Sequence, residues 1–233
     1  MTNFAATLLT ENLDSLRQKI VDHPLWTEIE QGRLPIERLR LFALQDAFLV
    51  KQMYRLDAMA IAGEDDIEAQ LLLIQKLVPK VGGHDILMRF GEAVGLRRED
   101  FEEIEPLAGC MALLNYFCWM LSYGTHGERL AAISASEDIF IKICLRIAPS
   151  LIKHYGLTEE QVFFFSWQKG LEEHVTPIDQ QLLQRYNDPA DRIKITRAVR
   201  LSYEYELMFY DTILNTPLHN LTQQDAVASH STR

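Results

Sequence analysis

The chain has 233 residues, 48% hydrophobic and 24% charged, which is long enough for one domain with a well-filled core and ordinary for a globular protein. Its 33 acidic residues outnumber 23 basic ones, for a formal charge of -10, and no Lys/Arg-rich run is present. That balance argues against nucleic acid or an anionic membrane as partner and favours a small molecule or a protein.

The opening, MTNFAATLLTENLDSLRQ, carries neither the basic start nor the unbroken apolar stretch of a signal peptide. No run of about 18 apolar residues follows, so a cytoplasmic protein without a membrane span is expected. Apolar residues recur at three- and four-residue spacing almost throughout, which predicts an all-α chain with helices over 4–21, 24–31, 35–62, 65–78, 83–95, 106–124, 127–154, 158–187 and 189–215. Gly32 and Gly95 are placed to end helices, and Gly82-Gly83 forms a joint before another. Cys110, Cys118 and Cys144 sit in apolar helical patterns without zinc spacing and read as reduced core residues. Thr158 and Gln161 form a capping box, and Asp188-Pro189 is a cap followed by proline at the first helical position. The domain is expected over 1–216, with 217–233 a frayed tail.

Several helices interrupt their apolar stripe with a polar group. Asp46 stands between Phe42 and Leu49, Tyr116 shares a face with Leu113 and Met120, and Ser136 lies with Ile133 and Phe140. His174 shares a face with Phe164, Trp167, Leu171 and Ile178, and Glu206 lies between Val199 and Phe209. Each alone has an ordinary explanation: a helix-edge carboxylate, a hydrogen-bonded core histidine, a serine bonded back to its own helix. Burying an unpaired polar group costs on the order of 2–7 kcal/mol, however, so the economical arrangement gathers all five around one polar cavity. Pro177, three residues after His174, is expected to kink the helix and free the carbonyl of Glu173 near that cavity. The acidic clusters GEDDIE and RREDFEEIE read as solvated faces.

The stretch HPLWTEIEQGRLPIERLRLFALQD (23–46) resembles the opening of the TenA (thiaminase-II) and PqqC family. GGHDILMRFGEAVGLRRED (82–100) is similar to the PqqC double-glycine segment, ERLAAISASEDIF to a TenA run, and YELMFYD to the TenA closing motif. The resemblance covers roughly 20–215 and implies the haem-oxygenase-like fold, a helical bundle around a ligand pocket, assembled as a homodimer or higher homo-oligomer. By the same resemblance Asp46 matches the aspartate that binds an aminopyrimidine, Tyr116 a pocket tyrosine, and Glu206 an acid/base carboxylate. Ser136 falls where TenA enzymes carry a nucleophilic cysteine, and Phe140 where they carry a tyrosine. A serine in that place needs an adjacent base. In the dimetal branch, related to the chlamydial death-domain-associating protein, ligand positions correspond to Trp167, Leu171 and His174, so two of three ligands are missing.

These readings converge on a small-molecule enzyme of cofactor or secondary metabolism, PqqC-like and oxidative, acting on a small polar heteroaromatic substrate without a cofactor. His174, His84 and Glu206 are its expected catalytic groups, and Asp46, Tyr116, Ser136, Trp167 and Phe140 its substrate contacts. The alternatives are a TenA-like aminopyrimidine C–N hydrolase lacking the cysteine, an iron oxidase using His84, Glu137 and His174, and a non-catalytic binding module.

Overall fold

The computed structural model describes residues 13–218, and among these the chain forms nine α-helices and no strand. They are α1 (Asp14–Val21), α2 (Pro24–Glu30), α3 (Ile36–Ala62), α4 (Ile67–Leu77), α5 (Gly83–Ala93), α6 (Ala108–Tyr123), α7 (His126–Tyr155), α8 (Phe163–Leu183) and α9 (Pro189–Asn215). Short 3-10 turns cover Val78–Lys80 and Arg98–Phe101. The expected helical residues 4–12, and the tail from 219 on, lie outside the described residues.

Capping chemistry sets most boundaries. His23 precedes Pro24 and accepts the Leu25 N–H through its ring, Asp66 accepts from Ala69, and Asp188 accepts from Ala190 and Asp191 ahead of Pro189. Thr125 and Glu128 form a reciprocal capping box at the start of α7. Gly32 and Gly95 follow the ends of α2 and α5 with φ of 65° and 97°, the left-handed conformation that closes a helix end without a Cβ clash. The expected box between Thr158 and Gln161 also forms, with bonds of 2.9 and 3.2 Å. It caps a turn rather than α8, which begins five residues after Thr158.

In the bundle, α9 packs along α6 and α7, α7 along α8, and α3 along α5 and α6. One large core of aliphatic and aromatic side chains, including Trp26, Phe42, Phe90, Phe117, Phe165 and Tyr210, fills the space between them. A small satellite core of Ala69, Ile178 and Leu182 joins α4 to α8. No helix among the described residues is long and apolar enough to cross a membrane.

Candidate active site

A cavity of about 140 Å³ lies inside the bundle, walled by α3, α7, α8 and α9 with contributions from Phe117, Lys80 and Gly83. Its middle is apolar, lined by Phe117, Phe140, Phe164, Trp167 and Phe209 among others. Trp167 closes one wall over the start of α5. A Cβ at Gly83 would come within 3.0 Å of the indole ring, so glycine is what allows that approach.

One end of the cavity is acidic. Asp46 from α3 and Glu206 from α9 are each only 3% exposed. The Ser136 hydroxyl donates to one oxygen of Glu206 and the Tyr210 hydroxyl to the other. Asp46 Oδ2 is buried without a protein partner, an orphaned acceptor facing a hollow. Burial, and then the charge of Glu206, push the Asp46 carboxyl up to about 8. Burial raises Glu206 to about 7 against the opposing hydrogen bonds from Ser136 and Tyr210. Near neutral pH, then, Asp46 keeps its proton while Glu206 is partly ionised, which separates an acid from a base a short distance apart.

The other end is a buried ion network. Lys80 pairs with Asp57 at 3.2 Å and with Glu137. Lys76 pairs with Glu137 at 2.8 Å and Asp179 at 2.7 Å, and donates to Ser134 at 3.1 Å. Burial works to raise the Glu137 carboxyl, but the ammoniums of Lys76 and Lys80 overcome it and hold Glu137 at about 2. Asp46 and Asp57 are eleven residues apart on α3, so the two polar ends are separated by roughly 16 Å of helix.

Of the residues expected from sequence, Asp46, Ser136, Phe140, Trp167 and Glu206 line the cavity. His174 does not: it is exposed. The inner stripe of α8 runs through Phe164, Gln168, Leu171, Val175, Ile178 and Leu182, which turns His174 about 100° away from Val175 toward solvent. Pro177 is exposed too, and α8 continues through it, so the carbonyl it leaves unbonded belongs to Glu173 on the solvent side rather than to the cavity. Tyr116 is buried between α6 and α9, its hydroxyl donating to the Ala198 carbonyl at 2.6 Å and its ring stacked on Tyr205, off the cavity. His84 follows the cavity-lining Gly83 but does not line the cavity itself. Its Nε2 is buried and unpartnered, and burial together with the charge of Lys51 lowers its pKa.

The alternative iron set of His84, Glu137 and His174 is therefore not assembled. One member faces solvent, and the carboxylate is already saturated by two lysines. No group of three or more His, Cys, Asp or Glu side chains placed to hold a metal ion occurs among the described residues.

Sequence reasoning missed Tyr210, Asp57, Lys76, Lys80 and Gln168. Tyr210 follows Glu206 by one helical turn, and Asp57 extends the row Asp46, Val50, Met53 by another, so both were within reach of the periodicity. The lysines gave no such signal, because a Lys pair four residues apart on an amphipathic helix ordinarily reads as a solvated face.

Over 192 residues, 78% of this chain, the sequence is 22% identical to a 4-aminobenzoate synthase of Chlamydia muridarum, covering 81% of that protein. The Chlamydia trachomatis protein of the same description is also 22% identical and is covered to 83%. Among solved structures, a domain with a heme oxygenase-like fold from Shewanella denitrificans superposes with a TM-score of 0.80 at 16% identity, over 94% of both chains. A TenA homolog from Pseudomonas syringae pv. tomato does so with 0.76 at 14% identity, over 91% of this chain and 92% of that one. At these identities the structures share the fold. The TENA/THI-4/PQQC family itself matches residues 10–216, nearly the whole chain, and the protein belongs to that family.

Proposed function

We propose that the protein is an enzyme of cofactor metabolism that binds an amino-substituted heteroaromatic ring and hydrolyses its C–N bond. The observation that carries this reading is the Ser136–Glu206–Tyr210 hydrogen-bonded set beside the unpartnered carboxyl of Asp46, at the end of a cavity walled by aromatic rings. A planar ring fits between the aromatic walls, and its exocyclic amine supplies the donor that Asp46 Oδ2 lacks. Ser136 stands where a family cysteine is expected, and it has the adjacent base that a hydroxyl nucleophile needs.

In the proposed reaction the Ser136 oxygen adds to the ring carbon bearing the amine while its proton passes to Glu206. Asp46 gives a proton to the ring nitrogen, and ammonia leaves with the proton held by Glu206 as the ring nitrogen returns its proton to Asp46. Water, deprotonated by Glu206, then adds at the same carbon with Asp46 again protonating the ring nitrogen, and Ser136 leaves as it takes the proton from Glu206 and the ring nitrogen gives its own back to Asp46, so the net change is C–NH2 plus H2O to C–OH plus NH3. Every step runs through side chains of this chain. The chlamydial relatives are described by a product that carries an aromatic amine, and several structural neighbours are described as TenA homologues, names that agree with an amino-substituted ring as ligand. The oxidative reading depended on His84 and His174, neither of which lines the cavity, and so retains only the carboxylates.

The test is ammonia release from a 5-substituted 4-aminopyrimidine, with oxygen uptake followed in parallel. Turnover is expected in the wild type without oxygen consumption, with loss of at least 100-fold in S136A and E206Q and weakened binding in D46N. Unchanged turnover in S136A and E206Q would overturn the assignment, and oxygen uptake without ammonia would restore the oxidative one.

A further inference from the structure

Chemistry at the acid end leaves the ion network at the far end of the cavity without a task. Asp57, Lys80 and Glu137 all line the cavity, yet the charges of the network do not close. Lys76 and Lys80 face Asp57, Glu137 and Asp179, two ammoniums against three carboxylates. The shortfall falls on Asp57. Glu137 has an ammonium on each oxygen, and Asp179 holds Lys76 at 2.7 Å without lining the cavity. Asp57 turns both oxygens to a single ammonium, at 3.2 and 3.5 Å, and Glu137 holds that ammonium more closely. Burial accordingly raises the Asp57 carboxyl in spite of Lys80, while the two lysines hold Glu137 at about 2. A carboxylate that lines a cavity and is short of a cation is completed by a ligand that brings one.

Two further acceptors stand in the same cavity. Asp46 Oδ2 has no protein partner. Gln168 is only 4% exposed, and its Nε2 makes one long bond of 3.4 Å to the Phe164 carbonyl of its own helix, which leaves Oε1 without a partner. Gln168 follows Phe165, which stacks against Phe42 on α3, by three residues and precedes Asp179 by eleven, so it stands on the wall nearer the acid end. The lining offers no matching positive charge: among the described residues that line the cavity the one cation is Lys80, and two carboxylates occupy it. A row of open acceptors without a free cation selects a donor-rich, positively charged ligand and turns away phosphate and carboxylate groups.

Dimensions set the ligand's shape. A cavity of about 140 Å³ holds one ring of benzene size, so what continues from that ring toward Asp57 is a thin chain. Carboxylates roughly 16 Å apart along α3, each about 2.8 Å from its donor, leave about 10 Å between two ligand nitrogens, the length of a six-membered ring and an arm of about four carbons.

We propose that the ligand of this cavity carries nitrogen at both ends, its aromatic amine at Asp46 and, on an unbranched arm, a primary ammonium docked on Asp57. The proposal deepens the reading of the acid end as the amine site and rests on it.

Isothermal titration calorimetry of the whole chain with 4-aminopyrimidines substituted at ring position 2 tests this. A 4-aminobutyl arm is expected to bind at least tenfold more tightly than a 4-hydroxybutyl arm of equal length, and a 3-carboxypropyl arm more weakly than either. Ammonium arms of two and of eight carbons should lose the advantage, a comparison made on the wild type alone. D57N, with unchanged helical circular dichroism, should bind the aminobutyl and hydroxybutyl compounds alike, whereas D46N should weaken both and keep their order. An ammonium no better than the hydroxyl in the wild type, an advantage independent of arm length, or one that survives in D57N would each overturn the proposal, the last by showing a purely structural ion pair. Turnover unchanged in S136A and E206Q while the Asp57-dependent preference holds would strike the proposed reaction and leave this site standing.

Discussion

Asp46 and Glu206 hold their protons more tightly in the folded chain than in water, since burial raises both from ordinary carboxylate values to about 8 and about 7. Below about pH 3 both groups are protonated in the folded and unfolded states alike, and the pair costs almost nothing. As pH rises through the unfolded values toward 7 and 8, the unfolded chain releases these protons first, so the pair's contribution to stability falls across that window. The D46N and E206Q proteins lose this dependence. Urea denaturation of wild type and variants between pH 5 and 9 should show the variants gaining on the wild type by up to about 1.4 kcal/mol per pH unit for each group replaced. Parallel curves would mean that neither carboxyl is raised. Such a cost, borne at two adjacent positions, is the pattern of a site held ready for chemistry rather than for packing.

At the scale of the element, α4 is attached differently from its neighbours. A small apolar cluster joins it to α8, it packs on α3, and Lys76 ties it further by reaching Asp179 on α8 and both Ser134 and Glu137 on α7. Replacing Lys76 by Met preserves most of the volume but leaves buried Asp179 without its cation and Glu137 with Lys80 alone, and breaking a buried pair in this way typically costs about 3–5 kcal/mol. K76M is expected to lose roughly that much in urea denaturation at neutral pH, and a loss below about 1 kcal/mol would show that the pair is not the anchor. The helices themselves were legible from sequence, because 3.6-residue periodicity and the caps at Asp66, Thr125 and Asp188 are local signals. The face of a helix was legible only to within about one residue. Asp46, Ser136 and Glu206 lie near the centre of their stripes and line the cavity, whereas His174 sits at the edge of its row, and a rotation of about 100° separates the core from solvent. Tyr116 shows a different limit: periodicity buries it correctly, but whether a buried hydroxyl meets a cavity or the Ala198 carbonyl depends on a helix 82 residues away.

For the whole molecule, what the sequence conveyed least was how charge is distributed inside. A formal charge of -10 suggests a uniformly acidic surface, yet two lysines and five carboxylates, Asp46, Asp57, Glu137, Asp179 and Glu206, line the cavity or stand just behind its wall, buried or mostly so. Screening by salt reaches exposed pairs far more than these, so the two populations answer differently to ionic strength.

The three thiols are unlinked, and two of them report on this interior. Burial, then the charge of Asp46, push Cys110 up to about 12 and raise Cys144 well above the ordinary thiol value, so neither offers a thiolate to an alkylating reagent while the bundle is closed. Half-buried Cys118 supplies an internal reference. Iodoacetamide should modify Cys118 first, with Cys144 following at the rate at which the bundle opens, read by peptide mass spectrometry. A compound that settles beside Asp46 should slow the second event and spare the first. The thiols thereby become a clock for ligand discovery that runs before any turnover has been measured.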